Sequence, residues 1–419
     1  MDKVPKIKTA VTEDLPDAAA SPAKTTRMLL RLLRAAQPLS RVEIARRLNV
    51  NRSTITDITK PMIHSGLLRE GAVELSENVR AQGRPPVGLS FVDDQDFFVG
   101  LNLGVRHSQV GLTTLGGEVL AEEEFATPAG SAAALRLAQE KIKDLCAGIE
   151  GRTLRTIGVS VPGPVDAVRR KLLYAPHLGW KDVAVADELQ KGLFGISETV
   201  PVTVENDATA AAIYEARLKM RDAENDPASN FILVRSGTGI GVGLVLDGEI
   251  YRGSGSGLGI AGEFGHMTIV ADGKPCECGN RGCWEKYASA SSAAALYVGD
   301  RPQPRDKQLR FVEIVARAEV GETRARRTLE KIGHYLGIGI ANVIMGIGIS
   351  QVVVSGRLVY GWQHIKEPLR DSIKKSIVGK TADWTVICGE PKGSALGGAL
   401  EVAVEEFISR GFVSEKEAA

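Results

Sequence analysis

The sequence predicts an α/β protein with a winged helix-turn-helix at its N-terminus and a larger body built on two sheets. Three observations carry this. Residues 25–68 hold apolar stripes at helical spacing, separated by short polar turns. From Asp96 onward, short β-branched runs alternate with longer amphipathic stretches, and a second such set begins at Phe231. Strands interleaved with helices in this way indicate sheets covered by helices. Glycine is abundant, 46 in 419 residues, and concentrates between positions 237 and 282, where the backbone must turn tightly or approach a ligand closely.

Residues 1–24 mix charges with Pro and Ala and hold no apolar segment, so a disordered tail is expected and a secretory signal is not. Residues 25–92 form the first unit. Its first helix, 25–36, sets Met28, Leu29, Leu32 and Leu33 at helical spacing. Ser40 caps a second helix, 41–48, and Glu43 completes a capping box. Asn49-Val50-Asn51 makes the turn, with Asn49 in the left-handed conformation that Asn tolerates. Asn51 caps a third helix from Arg52 to about Ser65, which Gly66 ends. Ala45 is small enough for the helices to cross closely, and Ile44, Leu48, Val50, Ile55 and Ile58 supply apolar contacts. Ile55, Ile58, Met62 and Ile63 face inward. That leaves Arg52, Ser53, Thr54, Thr56, Asp57 and Lys60 for the major groove of DNA or its phosphates. Short β-prone pieces between Gly71 and Phe91 form a wing. In Gly83-Arg84-Pro85-Pro86 the prolines hold the backbone extended, so Arg84 either projects into a narrow minor groove or sits in a rigid linker.

Charge agrees with that reading. Residues 24–86 carry twelve Lys/Arg against five Asp/Glu, a net +7 in a chain whose total is +1, so the body is mildly acidic. A small basic module on an acidic body is the footprint of a nucleic-acid binder, and a basic solvated face is the bland alternative. At 43% hydrophobic and 25% charged residues the chain has the composition of two or three compact units and not of a disordered one. The uncharged stretch 335–356 is nominally long enough to span a bilayer, but its five Gly, Asn342 and Gln351 favour a buried helix followed by a strand at 351–355. No membrane association is expected. Five Cys without a secretory signal indicate a reducing, cytoplasmic setting. Cys146 and Cys388 fall in apolar patterns and read as inert core residues.

In the body the pattern predicts strands over 97–103, 109–114, 119–125, 156–161 and 202–205, with helices over 132–149 and 208–218. Strands follow at 231–235, 241–246, 352–355 and 384–388, and helices at 362–377 and 394–408. The two strand-rich halves have the composition of structural duplicates.

The strongest chemical motif is His266 followed by Cys276-Glu277-Cys278-Gly279-Asn280-Arg281-Gly282-Cys283. One His and three Cys make a closed tetrahedral site for Zn²⁺, with no position left for water, so the ion would be structural. Three unrelated thiols are a poor account of that spacing. Zinc on one imidazole nitrogen fixes the orientation of the other. Glu263 and Glu285 stand beside it and can accept hydrogen bonds from hydroxyls. Asn206-Asp207 ends a strand just before a helix, where an open α/β sheet places ligand groups. Each acid alone reads as a surface charge; with a metal-fixed His the set reads as a polyol site.

Gly262-Glu263-Phe264-Gly265-His266, the Cys run ending in Trp284-Glu285, Glu205-Asn206-Asp207-Ala208 and Ser236-Gly237-Thr238-Gly239-Ile240-Gly241 resemble the motifs of the ROK family of repressors, uncharacterised reading frames and sugar kinases. The chain is similar to the repressor branch, from about residue 25 to the C-terminus. The resemblance implies an actin-like (ribonuclease H-like) pair of lobes over 93–419. One lobe covers about 93–215 plus the C-terminal helix at 394–410, the other about 216–393, with a sugar cleft between. It implies Asn206, Asp207, Glu263, His266 and Glu285 as sugar ligands, with Gly163 of Pro162-Gly163 in a sugar-side loop. Asp207 matches the general base of the family's kinases, and His177 stands where the family often has Asn.

Those kinases open their first lobe with Asp-x-Gly-Gly-Thr-Lys, where this chain has Asn102-Leu103-Gly104-Val105-Arg106-His107. The acid that serves magnesium is an amide, the second Gly is branched, and Thr and Lys are gone. Gly237-Thr238-Gly239 survives, but a lone Gly-rich turn is weak evidence of nucleotide binding. The expectation is therefore a repressor of sugar uptake or catabolism genes, not an enzyme, with Asp207 a vestigial base. It would bind a small sugar effector and, as a homodimer or tetramer, a pseudo-palindromic double-stranded operator. The alternatives are an active ATP-dependent sugar kinase with a DNA-binding arm, and a zinc or thiol sensor switching through Cys276, Cys278 and Cys283.

Overall fold

The computed structural model describes residues 22–72, 87–166, 168–193, 200–222, 229–253, 260–299, 309–390 and 393–410. Arg84 and most of the sequence assigned to the tail lie outside the described residues. Residues 22–24, read as tail, open the first helix, α1 (Pro22–Ala36). The head continues with β1 (Leu39–Ser40), α2 (Arg41–Arg47), α3 (Arg52–His64), β2 (Leu68–Ala72) and β3 (Val87–Phe91). The three strands pair antiparallel in the order β1-β3-β2, completing a winged helix-turn-helix.

Asn49 takes φ 51° in the α2–α3 turn, and Gly66 takes φ 80° after α3, both as the sequence predicts. Ser40 caps α2 by accepting from Glu43 N at 3.2 Å, but the capping box is only half made. The Glu43 carboxylate turns instead to Arg46 and Arg47, at 2.7 Å each. A bond from a guanidinium is stronger than one from an amide N–H. The hydrogen bond from Arg46 leads in holding the Glu43 carboxyl down at about 2. Asn51 occupies the N-cap of α3 in extended conformation, yet its side chain makes no capping bond, so the first-turn N–H groups are left to their surroundings.

The first half of the body runs β4 (Asp96–Asn102), β5 (His107–Thr113), β6 (Val119–Ala126), α4 (Ser131–Ala147) and β7 (Thr153–Val161). A small hairpin, β8 (Leu172–Ala175) and β9 (Trp180–Val183), follows with α5 (Val185–Gly192), β10 (Val202–Asn206) and α6 (Asp207–Arg221). The second half runs β11 (Phe231–Ser236), β12 (Ile240–Leu246), β13 (Glu249–Ile250), α7 (Glu285–Ala288), α8 (Ala290–Val298), α9 (Phe311–Glu319), α10 (Thr323–Ile347) and β14 (Gln351–Gly356). It closes with α11 (Trp362–Lys375), α12 (Ile377–Thr381), β15 (Thr385–Cys388) and α13 (Ser394–Arg410). The two five-stranded sheets are β6-β5-β4-β7-β10 and β13-β12-β11-β14-β15. In each, three antiparallel strands are extended by two parallel ones, so the halves are duplicates in topology.

Small residues set how these layers meet. A Cβ on Gly158 of β7 would lie 2.3 Å from Ala403 N and 2.4 Å from Ala399 O, so α13 lies directly on the first sheet. A Cβ on Gly243 of β12 would lie 2.5 Å from the Ala212 Cβ, which seats α6 on the second sheet. The two helices cross where Gly398 meets the backbone of Ala210 and Ala211. They form the seam between the lobes.

The head shares a core with this seam. Leu29, Leu32, Leu33 and Phe91 pack with Phe98, Met220, Ala403 and Val404. The stretch 335–356 divides into the end of α10, a left-handed Gly348 and β14. Among the described residues no helix is long and apolar enough to cross a membrane. Cys146 is buried, and burial pushes its thiol up to about 11. Cys388 is exposed, contrary to the core role read from its apolar neighbours, because β15 is an outer strand of its sheet with one side uncovered.

Gly158→Ala should displace α13 and destabilise the body by about 1–3 kcal/mol, the usual cost of overpacking. Calorimetry should show this as a fall in Tm. Gly148→Ala, whose new methyl would meet nothing closer than 3.5 Å, should leave Tm unchanged.

Candidate functional site

The acidic residues singled out in the sequence converge. Asn206 ends β10 and caps α6, its Oδ1 accepting from Ala208 N at 2.9 Å and Thr209 N at 3.3 Å. Its Nδ2 donates to Gly163 O at 3.1 Å, so most of this amide is spent on holding the β10–α6 junction against the 162–164 loop. Asp207 follows in the first turn of α6, with Arg235 Nε 3.4 Å from its carboxylate. Glu263 starts a short turn of 3-10 helix, reached through Gly262 at φ 97°. Burial, reinforced by the negative charges of Asp207 and Glu285, pushes the Glu263 carboxyl up to about 7. A carboxyl so poised among other acids marks a site and not a solvated surface.

His266 links this group to the thiols. Its Nε2 lies 3.9 Å from Glu263, while Nδ1 lies 3.6 Å from Cys276 Sγ. Cys278 and Cys283 place their sulfurs 3.7 Å apart, and the ligand atoms of His266, Cys276, Cys278 and Cys283 all lie within 4.8 Å of one another. A tetrahedral ion bound at about 2.3 Å separates its sulfurs by about 3.8 Å. The set therefore fits one metal ion, bound through Nδ1, with Nε2 directed at Glu263. Glu285 is buried between the two groups and accepts from Cys276 Sγ at 3.1 Å. Trp284 anchors the loop: it is fully buried, donates Nε1 to Tyr335 O at 2.9 Å, and packs where Gly339 leaves α10 bare.

A cavity of about 450 Å³ opens beside Glu285, lined also by His177, Thr238, Lys274, Glu277 and Ser291. A Cβ on Gly239 would lie 2.3 Å from Glu285 Oε2 and 3.7 Å from His177 Nε2, so the 237–239 turn runs against this wall. Thr238 belongs to the Gly237-Thr238-Gly239 turn already noted in the sequence, whereas Lys274 and Ser291 carried no motif that could have singled them out, and Arg235 beside Asp207 was likewise missed. Asp207, Glu263 and His266 are gathered by their own contacts and do not line this cavity.

At the same end of the first sheet as Asn206, across β7 from it, Asn102 is buried at the end of β4, where Ser160 Oγ donates to its Oδ1 at 3.4 Å. Arg106 and His107 open a second cavity of about 500 Å³ together with Arg310 and Arg357. Burial, with the nearby charges of Arg106 and Arg235, lowers the Arg357 guanidinium.

On the head, Arg52, Ser53, Thr56, Asp57 and Lys60 are exposed along α3, and Thr54 is half-buried. Thr56 donates back to Arg52 O at 3.0 Å. Ile58 packs partly buried against the head core, as expected, and Thr59 joins the inner face, fully buried and satisfied by Ile55 O. Three head arginines that swell its positive charge face the body instead: Arg31, Arg34, and Arg47, whose Nη1 donates to Met220 O at 3.2 Å.

A sequence model of the ROK family matches residues 98–403, and one of winged helix-turn-helix DNA-binding domains matches residues 23–69. The chain belongs to the ROK family. This ROK protein is 25% identical to the xylose repressor of Bacillus spizizenii over 94% of its own length and 98% of that protein's. The crystal structure of a ROK family transcriptional regulator, a homologue of the E. coli MLC protein, superposes with a TM-score of 0.71 at 25% identity, covering 94% of this chain and 98% of that one. A ROK family glucokinase from Streptomyces griseus, solved with glucose and AMPPNP, superposes with a TM-score of 0.60 at 25% identity, covering 73% and 99%. The actin-like body and the winged head expected from the resemblance are both present in this ROK chain.

Elemental analysis of the purified ROK protein should find one bound metal ion per chain. Cys278→Ser with Cys283→Ser should abolish it and lower Tm, since a closed four-ligand site contributes directly to folding.

Proposed function

We propose that this protein is a sugar-responsive transcriptional repressor, acting in the cytoplasm as a homo-oligomer on a pseudo-palindromic operator. The observation that carries the reading is an exposed α3 joined through a shared core to a sugar-kinase-type body that has Asn102 where the resemblance to the family's kinases leads one to expect an Asp. Among the described residues, the Arg52 and Lys60 side chains engage no intramolecular partner, as groups reserved for phosphates and base edges should. Arg84, held in the extended sequence Gly83-Arg84-Pro85-Pro86, would add a minor-groove contact.

The sugar would lie against Asp207, Glu263, Glu285 and the Nε2 of His266, with the last N–H of Asn206 and the Gly163 loop completing the wall. Carboxylates accept strongly from hydroxyls, and three of them gathered in a part-buried site suit a polyol. D-xylose is the first candidate, by analogy with the repressors that this chain is similar to. Zinc is the ion that a His-Cys₃ set with no open position suits best. It would hold the 276–283 loop and fix the imidazole, with no part in chemistry.

An active kinase is the second reading, favoured by the retained Asp207 in the position of a base. Phosphoryl transfer needs metal-held phosphates, and a neutral Asn102 followed by Arg106 and His107 offers magnesium no acid. With ATP, magnesium and D-xylose or D-glucose, turnover should stay far below the 1–100 s⁻¹ of ordinary kinases. A rate inside that range would overturn the non-catalytic reading.

The test of the main reading is a titration of the chain's own upstream DNA at fixed salt, without and with D-xylose, D-glucose or N-acetyl-D-glucosamine. One sugar should shift operator affinity several-fold, and Glu263→Ala should abolish the shift while leaving sugar-free binding intact. Binding that ignores all three sugars, or a shift that survives Glu263→Ala, contradicts the assignment.

A further inference from the structure

We infer that Arg31 is the positioning residue through which the angle between the two lobes reaches the DNA-binding head. The inference rests on the sugar-responsive reading above. Arg31 lies on α1, with its guanidinium held from two directions. From α13, the Glu405 carboxylate accepts from Nε at 2.9 Å and also from Nη2. From the β12–β13 turn, Glu249 accepts from Nη2 at 2.9 Å and Gly248 O from Nη1 at 3.2 Å. Helix α13 lies on the sheet of the first lobe, whereas Gly248 and Glu249 belong to the sheet of the second. One head side chain therefore spans a point on each lobe.

Arg34, one turn further along α1, provides the contrast. Its partners are Glu401 on α13 and the carbonyls of Thr114 and Leu115 after β5, all on the first-lobe side. Arg34 fixes the head to one lobe; Arg31 compares that lobe with the other.

The second-lobe arm of the clamp is incompletely satisfied. Glu249 Oε1 is buried without a hydrogen-bond partner, and Arg27 Nη2 stands 3.6 Å from it. An unmade bond of this kind is costly, so a small shift of the turn toward Arg27 exchanges one satisfied oxygen for another. A cavity of about 30 Å³ under the clamp, bounded by Met220, Gly248, Ile250 and Ile408 among others, gives the turn room for that shift. Glu249 thus stands between two cations of α1, bonded to Arg31 through one oxygen and near Arg27 with the other, and a turn movement that shifts the balance between them would give the contact the two arrangements that a relay needs. When the lobes close on a ligand, the turn moves relative to α13. Arg31 must then tilt α1 or release Glu249. Because α1 shares its core with α2 and α3, either response re-aims α3.

The test uses the full-length chain with Glu249→Gln and, separately, Arg31→Lys, whose single ammonium reaches one carboxylate and not both. Calorimetry measures D-xylose, D-glucose and N-acetyl-D-glucosamine binding, and the operator titration is repeated with and without each. Both variants should bind sugar and sugar-free operator within about twofold of wild type, while the several-fold coupling between them falls below about twofold. Variants that retain the full coupling overturn the relay and leave the sugar-responsive reading standing. Variants that lose sugar binding itself also overturn it, since Arg31 would then act on the cleft. A wild-type operator affinity that ignores every sugar overturns the relay and the reading beneath it together.

Discussion

The carboxylate of Glu401 is the point on which the assembly of the molecule depends. It belongs to the last helix, α13, yet its partners come from the first helix, Arg34 at 2.7 and 2.8 Å, and from α6, Arg217 at 2.7 Å. Burial would push the Glu401 carboxyl up, but the two guanidiniums overcome it and hold the group below the usual carboxylate range. A buried ion cluster of this kind adds little net stability over an apolar packing. Removing one member is another matter, costing about 3–5 kcal/mol because a charge is left buried alone. The cluster thus specifies how the pieces fit: head, seam and first lobe have one arrangement in which every charge is answered.

That constraint gives the rest of the architecture its meaning. A head hung on a flexible linker could bind DNA but could not sense the body. Here α1 is built into the seam, and α6 runs about 22 Å, at 1.5 Å per residue, from the acidic site to the head. Its first turn carries Asp207, and its last turn offers Met220 O to Arg47 of α2. The same two helices that form the seam between the lobes also support the winged helix-turn-helix head.

Much of this was legible in the sequence where the deciding interactions are local. Asn49 and Gly66 announce their turns because few residues tolerate those conformations. The spacing of Cys276, Cys278 and Cys283 brings three thiols together through a loop of eight residues, so the cluster needed little tertiary knowledge beyond the placement of His266. The capping box failed for a local reason too: Glu43 had two arginines within one turn as rivals to the Ser40 N–H. What was not legible is long-range. Arg31 and Arg34 counted toward the charge of a basic module, and nothing near them hints that their α13 partners lie 374 and 367 positions away, respectively. Cys388 misled because an apolar run does not reveal which strand will lie at the edge of a sheet.

In a sugar-responsive repressor one free energy would link the cleft to the head, and such coupling is reciprocal. The most direct measurement is the calorimetric affinity of the full-length protein for its effector sugar, with and without saturating operator duplex. Operator should change sugar affinity by the same factor, and in the same direction, as the sugar changes operator affinity. A sugar affinity identical in the presence and absence of DNA would contradict it.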